Sequence, residues 1–145
     1  MMFKQFIAAS IAASCVAFAA PVQAQAKVDP HRAEDQGKHQ KIAAAHAAAA
    51  ACLQAPNANR ATCHTQLQAD CKGLAVGTHC GLRSKPEDHK DAAGHVAEHQ
   101  RMASVHTAAA QCLGSERAYK DCLDELTKAC SGLGVGKYCG MRHAH

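Results

Sequence analysis

The chain has 145 residues, of which 48% are hydrophobic but only 3% aromatic, and its formal net charge is +4. Its 16 basic and 12 acidic residues are mixed along the chain, so the charge gives no case for nucleic-acid binding. A chain of this length forms one small domain. The unusual residues are 11 histidines and nine cysteines.

The first 26 residues have the three parts of a secretory signal peptide. Lys4 supplies a positive charge, residues 7–20 form an apolar run, and residues 22–26 contain small-residue cleavage sites. No other stretch approaches the roughly 20 apolar residues that span a bilayer. The sequence therefore predicts a periplasmic or secreted protein with no membrane span after cleavage. All three phenylalanines lie in the predicted signal peptide. The mature chain therefore has a small hydrophobic core that needs additional stabilisation.

The rest of the chain contains one sequence unit twice. Residues 39–82 match residues 99–141 with a single one-residue gap. Histidines recur at an offset of 60, and the later cysteines and glycines recur at an offset of 59. This agreement indicates a duplicated unit. We assign residues 27–83 to the first repeat and residues 84–145 to the second.

Each repeat has the pattern of a helical hairpin. Asp29-Pro30 suits the start of a long alanine-rich helix that ends near Ala55, and a second helix follows at about residues 59–72. In the second repeat the helices begin near Ser84-Lys85-Pro86 and about residue 118. Strand signals are absent. The sequence predicts an all-α fold in which two tandem, disulfide-braced helical hairpins form a four-helix bundle about a pseudo-two-fold axis.

Eight cysteines remain after Cys15 leaves with the leader, an even number in a chain predicted to enter an oxidising compartment. Hairpin geometry and helical spacing favour two disulfides per repeat. The favoured pairs are Cys52 with Cys63, Cys71 with Cys80, Cys112 with Cys122, and Cys130 with Cys139. The alternative is that some of these residues are thiolate ligands of a soft metal such as Cu(I). The absence of C-x-x-C argues against zinc-ribbon and thioredoxin-like sites.

Histidine occupies core-facing positions on the long helix of each repeat. His39 and His46 lie on one stripe of spacing 3 and 4, and His99 and His106 repeat it. His39 and His46 are about 10.5 Å apart along a helix, so we expect ligands from both hairpins to meet in the bundle core. Spacings of four suit joint ligation and occur at His95/His99 and Asp35/His39. The predicted metal ligands are His39, His46, His99, His106, His95, Asp35 and Met102.

Other histidines lack a histidine at the equivalent position of the other repeat, and we expect them at the surface. They are His31, His64, His79, His89 and His145. Near the end of the chain, Met141 and His143 are candidates for additional ligands or for a weaker, peripheral site.

This set of ligands favours an exported protein that binds a metal ion and serves in its buffering, carriage or resistance. Imidazole, thioether and thiolate groups suit copper first and zinc second. No G-x-S-x-G, H-E-x-x-H or phosphate-binding loop is present, so we do not expect an enzyme. The alternative is a disulfide-stapled helical module without metal that binds a partner or acts in stress, and whose histidines sense pH. The sequence does not identify a protein partner.

Overall fold

The structure is a computed structural model that describes residues 30–83 and 91–142. The predicted signal peptide, the predicted helix start at residues 84–86, and His89, His143 and His145 lie outside these residues. Four helices occur in the described part. They are α1 (Pro30–Gln54), α2 (Arg60–Asp70), α3 (Ala92–Leu113) and α4 (Tyr119–Cys130). None of them is long and apolar enough to cross a membrane. The predicted all-α fold is confirmed.

Polar side chains define where two of the helices begin. The Asn59 side chain accepts a hydrogen bond from the backbone N–H of Thr62 at 3.1 Å at the start of α2. The Asp91 side chain accepts one from the backbone N–H of Gly94 at 2.6 Å at the start of α3. Both caps satisfy N–H groups that have no partner within the helix. Because Asp91 is the cap, α3 begins later than the sequence predicts.

The centre of the bundle is the antiparallel pair of α1 and α3. These two helices make the most extensive helix–helix contact, while α2 packs on α1 and α4 packs on α3. Ile42 and Met102 are fully buried along this contact, and small residues such as Ala45, Ala49 and Ala109 are buried beside them. Small side chains let the helix axes approach closely. The two hairpins therefore join through their long helices.

Four disulfides brace this thin core. They join Cys52 to Cys63, Cys71 to Cys80, Cys112 to Cys122, and Cys130 to Cys139. The Cα–Cα distances are between 5.1 and 5.7 Å. These are the pairs that the sequence favours. Four intramolecular disulfides indicate an oxidising, extracellular-type environment.

After the second helix of each repeat, a short fold-back segment returns along the bundle (residues 73–83 and 132–142), and the two segments cross near the pseudo-two-fold axis. Val76 donates its backbone N–H to the Gly140 carbonyl at 2.8 Å, and Val135 donates to the Gly81 carbonyl at 2.8 Å. Gly81 has a φ of 83°, and a Cβ there would overlap the Cys139 carbonyl oxygen. Only glycine fits this crossing. The crossing links the two repeats and holds the first fold-back segment in place.

Candidate metal centre

Two histidine pairs lie inside the contact between α1 and α3. His39 Nδ1 is 2.7 Å from His106 Nδ1, and His46 Nδ1 is 2.9 Å from His99 Nδ1. The ring centroids are 5.0 and 5.1 Å apart, and the ring planes meet at 36° and 37°. All four side chains are fully buried. The two pairs are related by the pseudo-two-fold axis.

A third group of imidazoles lies at one end of the α1–α3 contact and forms the candidate metal centre. His64 comes from α2, and His95 and His99 come from successive turns of α3. His95 Nε2 is 2.9 Å from His64 Nε2 and 3.3 Å from His99 Nε2. The three residues each offer a ring nitrogen within 4.8 Å of the others, and all three are buried. Two imidazole nitrogens on one tetrahedral zinc ion are about 3.3 Å apart.

A hydrogen-bond chain orients His99 toward this centre. The Cys80 carbonyl, 3.0 Å away, accepts a hydrogen bond from His46 Nε2. A neutral imidazole has one N–H, so His46 Nδ1 accepts in turn and His99 Nδ1 donates to it. We therefore assign a lone pair to His99 Nε2, which faces His95. Metal-bound histidines are held in this way by hydrogen bonds from their second ring nitrogen.

The surroundings keep these imidazoles neutral. Burial, with a smaller contribution from the neighbouring imidazoles, lowers the pKa of His99 to about 3. Burial lowers the pKa of His46 to about 4, against a smaller opposing effect of the hydrogen bond to Cys80. Burial also lowers the pKa of His64, with added repulsion from His79 and Arg60. Neutral imidazole is the form that binds metal ions.

The predicted ligands are distributed over several places. His95 and His99 belong to the centre, and His46 contacts His99 from outside it. His39 and His106 pair with each other farther along the α1–α3 contact. Within residues 30–83 and 91–142, the group at His64, His95 and His99 is the only set of three or more histidine, cysteine or acidic side chains with metal-ligand spacing.

Asp35 and Met102 also lie outside the centre. Asp35 is 3% exposed and accepts a hydrogen bond from the Tyr119 hydroxyl. It occupies the position equivalent to His95 in the other repeat. Met102 is fully buried in an apolar cluster that includes Leu126 and Leu133. The thioether therefore fills core volume.

The expectation of a surface position was wrong for His64, which is 8% exposed and belongs to the centre. His79 is half-buried, whereas His31 is exposed as expected. One signal was available in the sequence. His64 follows Cys63 and precedes Leu67 by three residues, so it borders the buried stripe of α2. Only the approach of α2 to the start of α3 makes that position part of a centre.

The cysteines are not ligands in this structure. All eight that follow the predicted leader are in disulfides, and a metal thiolate needs reduced sulfur. The Cu(I)-thiolate alternative therefore does not describe this state of the protein. The centre offers nitrogen ligands. No protein-family model, curated protein or solved structure matches the chain, so its residues and their geometry carry the functional argument.

Proposed function

We propose that the protein binds a transition-metal ion through His64, His95 and His99, and that it buffers or carries this ion in an oxidising compartment. The observation that carries the proposal is the convergence of three buried imidazoles with nitrogens at metal-ligand spacing. The export predicted from the leader and the four disulfides support the compartment.

A purely structural role accounts less well for the centre than for the two histidine pairs. In each pair, one N–H and one lone pair satisfy each other across α1 and α3. In the centre, the Nε2 atoms of His64 and His99 both face His95 Nε2, which has at most one proton to share. A metal cation in place of the shared proton would bind the lone pairs of the Nε2 atoms of all three histidines.

The ligand atoms of the centre restrict which metal ions we expect it to bind. Imidazole nitrogens suit copper, zinc and nickel, and the stability order of divalent ions places Cu²⁺ highest. We therefore propose copper as the first metal and zinc as the alternative. Since the hypothesis needs only retention and release of the ion, we propose binding without catalysis.

The test is based on a position at which the two repeats have different residues. The position equivalent to His64 is Leu123, so His64→Leu places a side chain that the same helix position already holds in α4. The matched control is Leu123→His, which adds a histidine in the other repeat. Each protein is offered Cu²⁺ and Zn²⁺ after chelation, and retained metal is measured by mass spectrometry after dialysis.

We expect one ion per unsubstituted chain, a strong loss of retention in His64→Leu, and unchanged affinity of the original site in Leu123→His. Failure of the unsubstituted protein to retain either metal would refute the proposal. That outcome would favour the disulfide-stapled helical module, in which buried histidine pairs such as His39 with His106 serve only as core contacts.

A further inference from the structure

The two repeats differ in histidine content at positions that come together in space. His64, His79 and His95 of one end correspond to Leu123, Tyr138 and Asp35 of the other. His64 and His95 are in the centre, and the His79 ring contacts the His64 ring. Three histidines that break the internal symmetry therefore gather at one end of the bundle.

We propose that His79 is a fourth ligand, which closes the centre into one tetrahedral, four-nitrogen site per chain. This inference rests on the proposed function. It extends the ligand set to the first fold-back segment, which places the His79 ring next to that of His64.

Ring geometry supports this assignment. Two imidazoles on one tetrahedral ion have ring centroids about 5 Å apart, given metal–nitrogen distances of about 2.05 Å. The centroids of His95 and His99 are 4.7 Å apart, and those of His64 and His95 are 4.8 Å apart. The His79 centroid is 5.5 Å from that of His64, with the rings at 88°. His79 thus stands at ligand spacing from one member of the centre.

The state of the His79 side chain also points to a ligand role. Its Nδ1 is buried and makes no hydrogen bond within the described part of the chain. An unsatisfied buried nitrogen is unfavourable, and a metal bond would satisfy it.

The backbone around His79 is held firmly enough for a ligand. Its carbonyl accepts the Leu82 N–H at 3.1 Å, and the next residue, Cys80, is joined to Cys71. His79 lies outside the group whose nitrogens are within 4.8 Å of one another. Ligation therefore requires its ring to turn about the side-chain torsions, while the fold-back segment stays in place.

A closed tetrahedral nitrogen site has consequences for the metal. Zn²⁺ adopts this geometry in sites without an open position, and Co²⁺ serves as its spectroscopic substitute, whereas Cu²⁺ prefers a tetragonal arrangement. With His79 bound, the proposed site therefore accepts Zn²⁺ and Co²⁺ without distortion and Cu²⁺ only with distortion, which reverses the order that the ligand atoms of the three-histidine centre alone give. A site with no open position suits retention of an ion.

The experiment compares His79→Tyr with Tyr138→His. Tyrosine already occupies the equivalent place in the second fold-back segment, so His79→Tyr removes the ligand with a side chain that this segment accommodates. Circular dichroism first checks that both variants are folded. The affinity for Zn²⁺ is then measured by chelator competition, and the geometry is read from the visible spectrum of the Co²⁺ form and from X-ray absorption.

In the unsubstituted protein we expect four nitrogen neighbours and an intense tetrahedral Co²⁺ spectrum. His79→Tyr should lower the Zn²⁺ affinity at least about tenfold, since loss of an outer-shell partner alone has that effect, and should replace one nitrogen by water oxygen. Tyr138→His should change neither the Zn²⁺ affinity nor the Co²⁺ spectrum. Zinc binding with the same affinity and spectrum in His79→Tyr would overturn the role of His79 while leaving the proposed function intact. No zinc or cobalt binding by the unsubstituted chain would overturn the tetrahedral site, and failure to bind Cu²⁺ as well would overturn the proposed function.

Discussion

Acidification from pH 7 to pH 5 should strongly destabilise the metal-free protein. Burial is the largest cause that lowers the pKa of His46, His99 and His106, to about 4, 3 and 2. In the unfolded chain these residues titrate near 6.5. Below that pH the unfolded chain therefore binds protons that the folded protein does not. Stability falls as the pH falls, until the pH reaches the folded-state values.

The size of the effect follows from these values. Between pH 7 and pH 5, each histidine that stays neutral in the folded state and has an unfolded pKa of 6.5 removes about 1.9 kcal/mol from the free energy of unfolding. Three such residues together remove about 6 kcal/mol. The total stability of a small domain is about 5–15 kcal/mol, so we expect the metal-free fold to be marginal at pH 5.

The assay is urea unfolding, followed by circular dichroism at pH 7, 6 and 5, with a chelator present and the disulfides intact. The key variant is His39→Leu/His106→Leu, which replaces both members of a buried pair that is not part of the candidate centre. This variant lacks His106. The decrease in the free energy of unfolding between pH 7 and pH 5 should therefore be smaller by about 2 kcal/mol. Substitution of the exposed His31 by leucine leaves both buried histidine pairs intact and serves as the control.

Equal free energies of unfolding at pH 7 and pH 5 would refute this reasoning. That result would mean that the folded protein accepts protons on these rings as readily as the unfolded chain does. An unchanged pH dependence in the double variant would show that the His39–His106 pair contributes nothing to it.

Three further predictions concern the stability of the fold. Replacing Cys52 and Cys63 together by alanine should lower the free energy of unfolding by about 3 kcal/mol, since the bond closes a loop across 11 residues; a loss below 1 kcal/mol in urea unfolding would contradict this. Gly81→Ala should lower the melting temperature more than Gly77→Ala. Both glycines have a positive φ, but only at Gly81 would an added Cβ clash with backbone atoms. Equal shifts in melting temperature would contradict the requirement for glycine at the crossing. Arg32 donates to four carbonyls at the end of α3, including that of Leu113 at 2.6 Å. Arg32→Ala should lower the free energy of unfolding by about 1–2 kcal/mol and speed hydrogen exchange of the backbone amides at the end of α3. Unchanged amide exchange would contradict a stabilising role of these Arg32 hydrogen bonds.

The architecture was largely predictable from the sequence because its signals are local. Alanine-rich segments of period 3.6, ended by turn residues, predict the helices. In an antiparallel hairpin, the turn position determines which residues face each other, and this places Cys52 opposite Cys63. The start of α3 was predicted too early because proline and serine near residue 84 resemble a helix start, whereas Asp91 supplies the cap.

The candidate centre was predictable only in part. The spacing of four between His95 and His99 is a property of one helix, and the sequence alone was enough to identify it. The duplicated histidines were the stronger sequence signal, but a two-fold axis brings such residues opposite each other, as with His39 and His106, and one nitrogen of each ring then bonds to its partner.

Helical periodicity thus determined which histidines face inward on α1 and α3. Only the tertiary structure decided which nitrogens share one point, because that depends on how α2 and the first fold-back segment pack against the start of α3. Such contacts join residues far apart in the chain, for example His64 and His95, and no local pattern specifies them. The sequence alone predicted the bundle and favoured its disulfide pairs, and the packing between repeats determined the candidate metal centre.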